Sequence, residues 1–222
     1  MKNPNNYQAK ISYQNTKVAE NYDRIRFTSL RGKIGNWLEF RIFEKILSLL
    51  AKKSYILDMP CGTGRITAFL LEKGFWVTGA DISGEMIKLA REKCATYPNL
   101  KGFCISDGNN LLFKDKQFDC VTSIRFMGHI PPGVRIKILK EMKRVCRKYI
   151  IVEYCILNPL VKIRRFFEQY FRNKTFDSRR WQILSRKELK EEIEGAGLKI
   201  VRLYPKMRIF SDAWILLIDA RY

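Results

Sequence analysis

The segment Tyr55–Arg65, Y-I-L-D-M-P-C-G-T-G-R, limits the fold more than any other stretch of the chain. A short apolar run ends at Asp58, a turn of small residues follows, and an amphipathic run begins at Ile66. Asp81 stands seventeen residues after Gly64, in V-T-G-A-D-I-S, where a second apolar run ends. Gly62 and Gly64 permit a tight turn and let the backbone approach a ligand closely. Strand, glycine turn, helix, and a second strand closing on an acid form the arrangement that holds a nucleotide-like cofactor. A dinucleotide site also wants an acid there, but it asks for a third small residue three positions after the second glycine. Thr67 stands at that position, which together with Asp107 disfavours a nicotinamide dinucleotide.

Downstream, short apolar runs alternate with amphipathic ones. Helices are expected over 17–25, 37–50, 66–73, 84–94, 134–145 and 188–196, from apolar residues at helical spacing and from Gly74 and Gly197 as stops. Strands are expected at 55–57, 75–79, 102–106, 118–124 and 149–154, the last with continuous apolar character, and then at 199–203 and 213–219. Such alternation predicts an α/β fold: a mostly parallel, Rossmann-like sheet with helices on both faces. The last two strands have no helix between them and read as an antiparallel C-terminal hairpin.

One domain suffices for 222 residues. The formal charge of +20 favours encounters with polyanions such as RNA, anionic lipid headgroups or a phosphorylated substrate. Part of it is local: residues 158–190 hold ten Lys or Arg against three acids, and residues 133–148 hold seven against one. A uniformly basic surface is the plainer alternative. The six cysteines include no C-x-x-C pair and read as free, mostly buried thiols in a reducing compartment. With one histidine, the usual His/Cys zinc spacings are absent, and no metal is expected. The N-terminus M-K-N-P-N-N-Y-Q lacks a signal-peptide core, and no apolar run approaches ~18 residues. A cytoplasmic protein is expected, with peripheral contact at the inner membrane surface as an option.

On these residues the chain resembles the class I methyltransferases that use S-adenosylmethionine (SAM), in the small-molecule branch related to ubiquinone and menaquinone methyltransferases. The resemblance covers about residues 17 to 155, and the closing hairpin fits that family's seven-stranded fold, in which a reversed seventh strand lies between the fifth and sixth. It implies SAM as cofactor and S-adenosylhomocysteine as product. It implies that Asp58, Pro60, Gly62 and Gly64 form the first motif around the methionine end. Asp81 takes the ribose hydroxyls, Ile82 packs on adenine, and Asp107 with Gly108 meets the adenine amino group. Tyr22, in A-E-N-Y-D, falls in a segment that folds over the cofactor in that family. Pro60 departs from the pattern, since a glycine or small residue is usual there and proline has no N–H.

Each residue also has a plainer reading. Asp81 can cap the helix that follows, Asp107 can make an Asx turn before Gly108, and Tyr22 can be packing. His129 follows the fourth strand and is the one residue whose ordinary pKa lies near 7, which makes it the candidate general base. It can equally be structural in G-H-I-P-P. Arg26, Arg125 and Arg165 are candidates for holding an anionic substrate; solvent-facing positions are the alternative. Pro131-Pro132 does not complete the motif of enzymes that methylate base amines, because Ile130 precedes the pair and Gly133 follows it.

The stretch 161–174, V-K-I-R-R-F-F-E-Q-Y-F-R-N-K, interleaves bases with aromatics. Read as a helix, it suits an anionic membrane surface, a lid over a lipid-like substrate, or RNA, or it packs on the domain with a solvated basic face. The organisation expected is a single domain over 1–222, with an N-terminal cap region at 1–36 and a basic aromatic lid insertion at 158–184. The function expected is SAM-dependent methyl transfer to an anionic small-molecule or lipid-linked acceptor, on oxygen in preference to carbon. An RNA methyltransferase and a non-catalytic SAM-binding scaffold are the alternatives. Oligomeric state is left open.

Overall fold

The computed structural model describes residues 28–157, 183–207 and 212–222. The expected helix at 17–25 and nearly all of the expected lid lie outside them. Seven strands form one sheet: β1 (Tyr55–Asp58), β2 (Trp76–Asp81), β3 (Leu100–Ile105), β4 (Phe118–Ser123), β5 (Cys146–Cys155), β6 (Lys199–Pro205) and β7 (Ala213–Asp219). Their order is β3-β2-β1-β4-β5-β7-β6. The pairs from β3 through β5 are all parallel, and β7 runs antiparallel to both β5 and β6. The expected hairpin is present, and its second strand is inserted beside β5, with Ile151 opposite Leu217.

Two layers of helix cover the sheet. On one face, α1 (Leu30–Leu47) and α2 (Arg65–Glu72) bring Phe43, Ile46, Phe69 and Leu70 against Ile56, Val77, Cys120, Ile151 and Leu217. Phe40 of α1 stacks on Phe69 of α2 with ring centroids 4.2 Å apart. On the other face, α4 (Pro132–Val145) and α5 (Arg186–Gly195) bring Ile138, Leu139, Leu189 and Ile193 against Leu57, Val121, Ile150 and Leu216. Between α2 and α4 in sequence lies α3 (Gly84–Cys94), which packs Ile87 and Ala90 near the glycine turn. Strands covered on both faces are buried at successive positions rather than alternate ones, as the centres of β1, β4 and β5 are at Ile56-Leu57, Cys120-Val121 and Ile150-Ile151-Val152.

Two expectations need correction. Helix α1 starts at Leu30 instead of 37, because the Ser29 side chain accepts from the Gly32 N–H and caps it there. Its first two turns carry no core-facing apolar stripe, so periodicity missed them. The fifth strand is not continuously apolar in effect: it buries Glu153, 9% exposed, which obliges the fold to supply a cation. The pair Pro131-Pro132 opens α4, Pro131 as the cap and Pro132 in the first turn, where a missing N–H costs nothing.

A candidate active site at the carboxyl ends of the strands

Strand order reverses between β1 and β4, so the connections leaving these two strands diverge and open a crevice beyond their carboxyl ends. Asp58, Asp81, Asp107, Arg125 and His129 all fall on this edge, at or just after the ends of β1, β2, β3 and β4. The fold therefore gathers residues that lie as much as 71 positions apart in sequence, from Asp58 to His129.

The turn after β1 is bare and constrained. Gly62 (φ +53°) and Gly64 (φ +81°) both occupy left-handed backbone. A Cβ on Gly62 would meet nothing within 4 Å, so the turn is open above that residue. At Gly64 the opposite holds: a Cβ would lie 3.0 Å from Ala90 Cα, because α2 begins in contact with α3. The Met59–Pro60 peptide is cis, and Pro60 is half-buried at the edge of the turn.

Asp81 ties the end of β2 to that turn. Its Oδ2 accepts from the Gly62 N–H at 2.9 Å and its Oδ1 from the Ser83 N–H at 2.9 Å. The cap of α3 is Ser83, whose hydroxyl accepts from Met86 N–H, so Asp81 is not used for capping. Burial pushes the Asp81 pKa up, and the backbone donors Ser83, Gly62 and Ile82 pull against that. Ile82 follows directly, half-buried at the mouth. Asp107 does make the Asx turn: its Oδ1 accepts from the Asn109 backbone at 3.0 Å and side chain at 2.9 Å. Gly108 is buried against Met59, whose sulfur would stand 3.2 Å from a Cβ there.

Asp58 points inward. Its carboxylate accepts from Thr67 Oγ1 at 2.7 Å and from Thr122 Oγ1 at 2.9 Å, joining β1 to α2 and β4 behind the turn. Burial raises its pKa to about 6, against the two hydroxyls and the more distant Arg65. Thr67, the residue that spoils a dinucleotide fingerprint, has this carboxylate as its partner.

Across the crevice, β4 ends at Ser123 and the chain passes through Arg125, in left-handed backbone at φ +59°, into a 3₁₀ turn over Met127–His129. His129 is partly exposed there. The Arg125 guanidinium lies 3.5 Å from Glu39 of α1. Glu39 is fully buried and also pairs with Arg65 and with Lys206, which in turn meets Glu153 at 2.5 Å. Burial alone would raise the Glu39 pKa, but Lys206, Arg65 and Arg125 outweigh it and hold the carboxyl well below the usual range. Five charged groups from α1, α2, the β4 exit, β5 and the β6 exit thus close one side of the crevice.

Of the residues expected at the site, Tyr22, Arg26 and Arg165 lie outside the described residues, and the others stand on this edge of the sheet. Sequence reasoning missed Glu39, Arg65, Glu153 and Lys206. A signal was present for two of them: Glu39 lies one turn ahead of Phe43 on the apolar face of its helix, and Glu153 interrupts I-I-V-E-Y. A carboxylate so placed needs a cation.

A seven-stranded sheet with its reversed strand between the fifth and sixth, and acids around a glycine turn at the switch point, are the features that the resemblance to class I SAM-dependent methyltransferases implied. A family model described as a methyltransferase domain matches residues 56–149. Among curated relatives, the chain is 30% identical over 134 residues to a demethylmenaquinone methyltransferase of Thermotoga maritima, covering 60% of this chain and 55% of that protein. It is 31% identical over 104 residues to a malonyl-[acyl-carrier protein] O-methyltransferase of Hamiltonella defensa, covering 47% and 36%. The chain thus spans about half or less of the length of these relatives. The fold also matches a crystal structure of magnesium protoporphyrin IX methyltransferase from Synechocystis PCC 6803 with bound SAH, at TM-score 0.75 and 17% identity over 95% of this chain and 97% of that one. The resemblance read from the sequence is thereby borne out.

Proposed function

We propose that the protein transfers a methyl group from SAM to a small-molecule acceptor. One observation carries this reading: the acid-ended strand β2 is hydrogen-bonded, Asp81 to Gly62, to a bare left-handed turn at the switch point. The open space above Gly62 fits a ligand lying against the backbone, and an acid beside it fits the two hydroxyls of a ribose. In this reading Gly62 and Gly64 receive the methionine end, Asp81 the ribose, and Ile82, Asp107 and Gly108 the adenine. Asp58 acts from behind, holding β1, α2 and β4 in register with two threonine hydroxyls.

Bound SAM supplies a methyl group already activated by its sulfonium. What the chain must add is alignment of the acceptor atom and exclusion of water. The β4 exit offers both a cation, Arg125, and a base, His129, on the acceptor side of the crevice. We assign Arg125 to an anionic group of the acceptor and His129 to the proton of a hydroxyl, which favours oxygen over carbon as the methylated atom. A lipid-linked acceptor is consistent with the chain's +20 charge, as is peripheral contact with an anionic membrane. Among the described residues no helix is long and apolar enough to cross a membrane. Arg26, Arg165 and the stretch 158–184 belong to the same proposal as further acceptor contacts.

Calorimetric titration with S-adenosylhomocysteine tests the cofactor reading. Wild type should bind at micromolar strength and Asp81→Ala should not, with Asp81→Asn, which keeps an oxygen for one of the Gly62 and Ser83 N–H groups, as the milder variant and a thermal melt of each checking that the fold survives. Labelled methyl transfer into lipid and RNA extracts then tests the acceptor. Label in RNA alone would replace the small-molecule reading, and tight binding without turnover on any extract would leave a SAM-binding scaffold.

A further inference from the structure

Helix α1 has two apolar faces. One, with Phe43, Ile46 and Leu47, is buried on the sheet. The other carries Leu30, Ile34 and Trp37, spaced as i, i+4 and i+7, and these are 75%, 44% and 57% exposed. Burying neither the sheet nor a neighbouring helix explains a second stripe on the opposite side of the same helix.

Charge on the helix is one-sided. Lys33, Arg41 and Lys45 are exposed beside or in line with the stripe, and Arg41 rests over the Trp37 ring at 5.5 Å. Of the helix's two acids, Glu39 is buried inward on Lys206 and Arg65, and Glu44 is held by Lys73 at 2.6 Å. The exposed combination is a row of large apolar side chains with cations at its flanks and no acid in the first two turns. An interfacial helix has this pattern: the apolar residues enter the acyl boundary while basic side chains stay at anionic headgroups.

Position gives the stripe a use. Glu39 fixes the middle of α1 to Arg125 and Lys206, which follow the carboxyl ends of β4 and β6. The turns before Glu39, which bear the stripe, therefore lie at the rim where the crevice opens. We propose that the outer face of α1 docks the protein on an anionic lipid bilayer, with Leu30, Ile34 and Trp37 inserted and Lys33, Arg41 and Lys45 on the headgroups. This deepens the lipid-linked acceptor reading and rests on it for its purpose, but its test reads vesicle binding without methyl transfer, so the two can fail separately.

The test is sedimentation of the full chain with vesicles of phosphatidylglycerol and phosphatidylcholine, and with phosphatidylcholine alone. Wild type should partition onto the anionic vesicles, shift its tryptophan emission to the blue, and be released by salt. The double variant Ile34→Ser, Trp37→Ser changes two exposed side chains and should keep the wild-type melting temperature and S-adenosylhomocysteine affinity while partitioning about tenfold or more weakly. Equal partitioning of wild type and variant would overturn the proposal, since charge elsewhere would then account for binding. So would an absence of vesicle binding combined with a concentration-dependent dimer that the variant abolishes, which would make the stripe's occupant a second copy. Binding to RNA with none to vesicles would overturn it as well.

Discussion

Removing the Glu192 carboxylate should be among the most damaging single changes the domain can suffer. Glu192 of α5 accepts from Arg135 Nε at 2.8 and 3.0 Å and from Nη2 at 2.6 Å, and Tyr154 Oη donates to it at 2.6 Å. The Arg135 side chain is 0% exposed and that of Glu192 6%, so water screens little of this pair. In Glu192→Ala the guanidinium loses its carboxylate and keeps the Ile130 carbonyl, at 2.9 Å, while the phenol loses its acceptor. Stranding a buried charge in this way costs about 3–5 kcal/mol, a large part of a stability of about 5–15 kcal/mol. For a domain of this length the melting temperature should fall by about 6–20 °C. The triple variant Arg135→Met, Tyr154→Phe, Glu192→Leu removes donors and acceptor together and should melt far closer to wild type than Glu192→Ala does, since a packed apolar replacement strands nothing. Urea unfolding and thermal melts of both variants read the difference. A Glu192→Ala cost below about 1 kcal/mol would refute the reasoning, because the pair would then be worth no more than an exposed one.

Asp58 should make stability depend on pH in an unusual direction. With its folded pKa raised to about 6 from 3.8, the folded chain binds more protons than the unfolded one between those values. This group's contribution to stability therefore declines as pH rises from about 4 to 6, and Asp58→Asn should flatten that slope in urea titrations across the window. Gly64→Ala should destabilise by about 2 kcal/mol or more, since it joins a left-handed backbone to a contact 3.0 Å from Ala90 Cα. Gly62→Ala, with open space around its Cβ, should cost less in stability but weaken S-adenosylhomocysteine binding in calorimetry.

Most of the sheet was legible because its strands are short apolar runs separated by amphipathic ones, and α3 and β7 have the limits their residues suggested. The glycine turn was legible because left-handed backbone of the kind found at Gly62 and Gly64 favours glycine and leaves few other uses beside an acid-ended strand. Two kinds of information were not local enough to read. The first turns of α1 are set by one serine cap and contribute little to the core, since their apolar residues Leu30, Ile34 and Trp37 lie on the face away from the sheet and do not extend the buried period of Phe43, Ile46 and Leu47. The charged wall of the crevice depends on pairs formed across the whole chain, and a lysine such as Lys206 looks like any surface lysine until the fold buries it. Thr67 and Thr122 were similarly silent, since a threonine in an apolar helix or strand says nothing of the carboxylate it will meet.

That charged wall also bears on how the protein emerges from a ribosome. Glu39 is made early, and its partner Lys206 comes 167 residues later. Glu153 waits 53 residues for the same lysine. Until the last strands are synthesised, the sheet from β3 to β5 can assemble and Glu39 can meet Arg65 and Arg125, but Glu153 lacks the lysine it is buried against. Arrival of Lys206 with the β6–β7 hairpin supplies that cation. The charged wall of the crevice is thus complete only once that hairpin is made, and a nascent chain stalled before that point should hold its glycine turn without a finished wall beside it.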